Sequence, residues 1–144
     1  MSAAEHSAGD NVPALFTAVA HNASGSSGES WIEGGLRVSV ASPLAGPAEG
    51  ATNPEELLAL SWATCLNAAA RVVAGAGVDV EASVTISLHR RSGDDGFEFS
   101  GHARLRFAGT PAAEAERLAA AAHARCPVSR MLSGASTVTV SAQT

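Results

Sequence analysis

The sequence contains no lysine. Its nine basic residues are all arginine, set against fourteen Asp and Glu, for a formal net charge of -5. Affinity for nucleic acid rests largely on clustered cations that neutralise phosphates, so this balance excludes DNA and RNA as partners. The arginine bias, beside abundant Ala and Gly, fits a GC-rich coding sequence and carries no mechanism. No uninterrupted run of 18 apolar residues is present, and the opening MSAAEHSAGD lacks the basic start and apolar stretch of a secretory signal. The expected location is the cytoplasm, without membrane insertion. Aromatic residues make up only 4% of the chain, so the core must be built mainly from Ala, Val and Leu. The histidines (His6, His21, His89, His102, His123) are scattered, with no C-x-x-C or H-x-x-x-H spacing, and neither a metal nor an organic cofactor is expected. There are only two cysteines, and in a reducing compartment a pair of thiols is rarely a structural staple.

The 144 residues that remain to be organised suit one domain. Residues 1–13 are small and polar and read as a flexible arm, leaving a single domain over 14–144. ALFTAVAH (14–21) reads as a short strand ended by the Ser/Gly cluster 23–28, and LRVSVAS (36–42) alternates as its hairpin partner. Asn53-Pro54-Glu55-Glu56 has the grammar of a helix start: a cap, a proline for the first position, and two acids for the positive end. From Leu57 to about Ala74 nearly every residue is apolar or small, with Trp62, Asn67 and Arg71 as the interruptions. A helix apolar on nearly all sides must lie centrally or be covered by a partner. Val80 to His89 and Phe97 to Phe107 alternate about the turn Gly93–Gly96 and form the clearest hairpin in the chain. Pro111 opens a second helix to about Arg125, Cys126-Pro127 breaks and restarts the chain, and STVTVSA (136–142) reads as a closing strand. The order β-β-α-β-β-α-β, with antiparallel hairpins, indicates an α+β fold.

Two residues could carry thiol chemistry. Cys65 lies ten residues after Glu55 in the apolar helix, where a cysteine taken alone is more often inert filling than a nucleophile. Cys126 differs, because Pro127 at a first helical position places its sulfur near the free N–H groups of a new short helix, a setting that favours a thiolate. His123 and Glu56 fit ordinary helix-end roles. Glu55 has the same reading from composition alone.

Two segments together resemble the OsmC/Ohr family: Ala51-Thr52-Asn53-Pro54-Glu55-Glu56-Leu57 followed by Cys65, and Cys126-Pro127-Val128-Ser129. Phe16-Thr17-Ala18, the segment Leu36 to Pro43 and Ala121-Ala122-His123 are similar to the Ohr branch, whereas Cys126–Ser129 is closer to the OsmC branch. The resemblance implies an intertwined homodimer, with antiparallel sheets wrapped around long buried central helices. It implies thiol-dependent reduction of organic hydroperoxides, with Cys65 as peroxidatic nucleophile, Cys126 as resolving cysteine and Glu55 as a carboxylate that organises the site. The partners would be an organic hydroperoxide and a dithiol reductant, a lipoyl dithiol being one candidate.

Along one regular helix Glu55 and Cys65 are separated by about 15 Å, so a bridging group, a helix break or a partner residue must join them. The family pattern also places an arginine in the loop after the first strand or in the loop before Asn53. Here neither 24–28 nor 44–50 contains one, and Arg37, Arg125 and Arg130 are the replacements to consider. That absence keeps open a second function, a non-catalytic family member that binds an apolar ligand in the dimer crevice.

Overall fold

The computed structural model describes residues 12–46 and 48–143; all but the last two positions of the expected N-terminal arm lie outside them. Two compact units are distinguished, 1–57 and 58–144, with the boundary inside a helix. In the first, β1 (Ala20–Asn22), β2 (Gly28–Ile32), β3 (Arg37–Val40) and β4 (Ala51–Thr52) form a sheet in that order. β1–β2 and β2–β3 are antiparallel, and β3–β4 is parallel. The β1–β2 turn is built by Asn22, whose Oδ1 accepts from the Gly25 amide at 2.7 Å and whose Nδ2 donates to Ser30 Oγ at 2.9 Å. Gly25 has φ +73°, a left-handed conformation that side chains disfavour.

The expected hairpin of 14–21 with 36–42 is corrected here. β3 pairs with β2, a strand whose sequence Gly-Glu-Ser-Trp-Ile has no apolar alternation, and only Ala20 and His21 of the expected first strand are in the sheet. Leu15 and Phe16 are fully or largely exposed. The closing strand over 136–142 is likewise absent: the segment has no strand neighbour among the described residues, and Val138 and Val140 are exposed. A strand exists only where a second backbone completes its hydrogen bonds, which an alternating pattern cannot supply alone.

α1 (Pro54–Ala74) begins as the sequence predicts: the Glu56 amide donates to Asn53 Oδ1 at 2.8 Å, and Thr52 Oγ1 donates to Glu56 Oε1 at 2.7 Å. It ends where Gly75, at φ +87°, returns its N–H to the Arg71 carbonyl. Among the described residues it is the helix long and apolar enough to cross a bilayer, although no uninterrupted apolar run betrays it. In the second unit one of its faces is buried: Trp62, Leu66, Ala69 and Ala70 pack with Val80, Phe107, Leu118 and Ala122. Leu60 and Val72 on the other side stay exposed, so within one chain the helix is not buried all round. Asn67 and Arg71, its polar interruptions, both donate to the Val80 carbonyl at 2.9 Å and so pin the helix to the start of the next strand.

That strand, β5 (Val80–Arg90), pairs antiparallel with β6 (Phe97–Phe107) from Val80↔Phe107 to Arg90↔Phe97, as the alternation predicts. α2 (Ala112–Arg125) buries Leu118 and Ala122, and α3 (Pro127–Leu132) follows after a single residue. The class is α+β, with two sheets and a long helix between them in the chain.

Candidate active site

That single residue is Cys126. Its backbone N–H closes α2 by donating to the Ala122 carbonyl at 2.9 Å, and its carbonyl opens α3 by accepting from Arg130 N at 3.0 Å. Its side chain is the cap of α3: the sulfur accepts from the Ser129 amide at 3.4 Å. The residue is 0% exposed. Pro127 makes this possible, since it ends one helix and has a preset φ and no N–H at the first position of the next.

Cys65 comes from the middle of α1 and packs half-buried against the same core, beside Val128. The two thiols are neighbours close enough to perturb each other's ionisation. Burial pushes the Cys65 thiol up; a hydrogen bond from the Val128 backbone opposes this, and the neighbouring Cys126 adds to the rise. For Cys126 burial also pushes upward, but it is outweighed by hydrogen bonds from the Ser129 backbone and hydroxyl, the Cys65 thiol and the Val128 backbone, and its pKa falls below that of an ordinary thiol. The first-turn amides of α3 therefore face both sulfurs, and Cys126 is the one that ionises first. Its expected thiolate character agrees with this.

Behind Cys126 lies a hydrogen-bonded support that sequence reasoning did not assign. Trp62 Nε1 donates to Ser129 Oγ at 2.8 Å in a buried contact, and Ser133 Oγ donates to the Ser129 carbonyl at 2.8 Å. The available signals were spacing and chemistry: Trp62 lies three residues before Cys65, Ser129 three after Cys126, and a buried indole N–H needs an acceptor. A cavity of about 410 Å³ opens beside this support, lined by Leu58, Trp62, Ile86, Phe99, His123, Ser129 and Leu132 among others. His123 is exposed and also lines a second cavity across the indole.

The structure thus brings Cys65 and Cys126 together. Glu55 stands half-buried in the first turn of α1, within the other unit. Of the arginines considered as replacements, Arg37 is engaged within the first unit, donating to Glu29 at 2.8 Å and lying over the Trp31 ring at 5.0 Å. Arg125 and Arg130 flank Cys126 with exposed side chains. No cluster of metal-ligating side chains is found among the described residues.

The family model for OsmC-like proteins matches residues 46–141, which include both cysteines and the helices that carry them. The chain belongs to the OsmC-like family. Among curated relatives of this family member, the organic hydroperoxide resistance protein OhrA of Bacillus subtilis is 35% identical over 101 residues, covering 68% of this chain and 72% of that protein. Among solved structures, OhrB of Bacillus subtilis aligns with a TM-score of 0.75 at 30% identity, over 84% of this chain and 93% of the other. An organic hydroperoxide resistance protein from Legionella pneumophila aligns with a TM-score of 0.74 at 32% identity, over 85% and 93%.

Proposed function

We propose that this OsmC-like protein is a thiol peroxidase that reduces organic hydroperoxides to alcohols through Cys65 and Cys126. The observation that carries the reading is the adjacency of two free thiols of opposite ionisation behaviour at the start of α3. Support comes from relatives named for organic hydroperoxide resistance.

Cys65, the less buried sulfur, is the nucleophile. It attacks the terminal oxygen of the hydroperoxide, the O–O bond breaks, and the departing alkoxide takes up the Cys65 proton to leave as an alcohol. The product at Cys65 is a sulfenic acid. Cys126, the more readily ionised thiol, then gives up its proton and attacks that sulfur, forming the disulfide and expelling hydroxide, which is protonated to water. An external dithiol supplies two electrons and two protons to restore both thiols. The depressed pKa thus serves the resolving step, because Cys126 yields its proton more readily than an ordinary thiol. In this reading Glu55 organises the site, and the apolar cavity at Trp62 and Phe99 accepts the alkyl part of the substrate. The protein works in the cytoplasm as a homodimer.

Turnover of cumene hydroperoxide and hydrogen peroxide with dihydrolipoamide as reductant tests this. Faster turnover of the organic substrate is expected. Binding of an apolar alcohol without any turnover would instead establish the non-catalytic, ligand-binding reading, which the same cavity favours.

A further inference from the structure

The role of Trp62 goes beyond filling the core. We propose that Trp62 is a positioning residue for Cys126: its indole N–H holds the Ser129 hydroxyl, and through it keeps the Ser129 N–H and O–H turned toward the sulfur. The inference rests on the reading of Cys126 as the resolving thiol.

An indole N–H can only donate, whereas a serine hydroxyl both donates and accepts. Because Trp62 Nε1 lies 2.8 Å from Ser129 Oγ, the oxygen is the acceptor there and its own proton is free to point elsewhere. The Ser129 amide already donates to Cys126 Sγ at 3.4 Å. Ser133 Oγ, at 2.8 Å from the Ser129 carbonyl, anchors the same residue from its other side. Trp62, Ser129 and Cys126 are all buried, at 8%, 0% and 0% exposure, so a lost partner leaves a buried polar group behind.

The indole is itself fixed. A Cβ on Gly101 of β6 would stand 3.0 Å from Trp62 Cζ3 and 3.0 Å from Ile86 Cδ1, so the absence of a side chain lets the ring lie against the strand. Among the described residues, the charged and titratable groups near Cys126 come from α1, α2 and α3. Cys65 faces it from α1, while His123 and Arg125 on α2 and Arg130 on α3 are exposed. Burial raises the Cys126 pKa, and the Ser129 amide and hydroxyl lead the contacts that bring it below the ordinary value.

The test is a titration of thiolate ultraviolet absorbance in a Cys65→Ala background, so that one thiol remains. Trp62→Phe keeps an aromatic ring and removes the N–H, and it should shift the Cys126 titration to higher pH. Ser129→Ala should shift it at least as far, and Trp62→Phe added to Ser129→Ala should move it no further. An unchanged titration in Trp62→Phe, or the same shift with and without Ser129, would overturn the proposal. A purely structural loss would be felt in both backgrounds. In the unmutated chain, the indole N–H resonance of Trp62 should titrate with the Cys126 midpoint; a flat Trp62 resonance is equally decisive against the proposal. None of these readouts uses peroxide. A chain that shows the coupling but no hydroperoxide turnover refutes the peroxidase reading alone.

Discussion

The two sulfurs are surrounded differently, and at the scale of the residue the proposed cycle gives them different work. Cys65→Ser should abolish hydroperoxide turnover, whereas Cys126→Ser should consume one equivalent and stall with a sulfenic acid at Cys65. Trapping with dimedone and intact mass measurement distinguishes the two outcomes. Ionisation also enters stability, with opposite signs. The depressed Cys126 pKa contributes stability that is complete above the unfolded thiol value and is lost as pH falls through the folded value. The raised Cys65 pKa works the other way: its contribution is complete below the unfolded value and is lost as pH rises through the folded one. In Cys126→Ala the first contribution is absent and the neighbour that adds to the Cys65 rise is gone, so urea midpoints should gain less as pH rises toward the unfolded thiol value than in the parent, and should fall no more steeply above it. A parallel pH dependence of the two proteins would contradict the assignment of the lower ionisation to Cys126.

At the scale of the element, α1 shows what a sequence can and cannot disclose. Its start was legible because Asn53, Pro54 and two acids satisfy free amides and the helix dipole locally, within four residues. Asn53→Ala should therefore cost about 1 kcal/mol in chemical denaturation. Leu66→Ala, which empties a buried site facing Val80 and Phe107, should cost roughly 2–5 kcal/mol. The β5–β6 hairpin was legible for the same local reason, a strict alternation about a Gly-Asp-Asp-Gly turn. β2 was not, because Gly28, Glu29 and Ser30 carry no apolar face and the strand exists only through neighbours on both sides. The site divides along the same line. The thiolate setting of Cys126 could be read from Pro127 alone. The contact of Trp62 with Ser129 spans 67 residues and joins a core-like aromatic to a serine that looked like motif filler, so only folding reveals it.

At the scale of the whole molecule, one chain leaves much apolar surface without cover. Leu15, Phe16, Leu60, Val72, Val138 and Val140 are all more than half exposed, and among the described residues, 12–18 and 136–143 have no sheet partners. Strand edges and apolar faces of this kind are closed in symmetric assemblies by a second copy. Sedimentation equilibrium at low micromolar concentration should give a dimer, and the double variant Val138→Asp, Val140→Asp should shift it toward monomer. A parent chain that sediments as a stable monomer would remove the proposed assembly. The double role of Cys126, as stop of one helix and cap of the next, gives the assembled molecule a further property. A sulfur committed to a disulfide is neutral and a poor acceptor, so oxidation weakens the bond from the Ser129 amide and frees the first turn of α3. The amides of Ser133, Gly134 and Ala135 donate back to carbonyls of α3, and their hydrogen exchange should quicken in the disulfide form. The catalytic state would then be broadcast at the surface as a change in local order, a signal by which a reductant could tell a spent subunit from a fresh one.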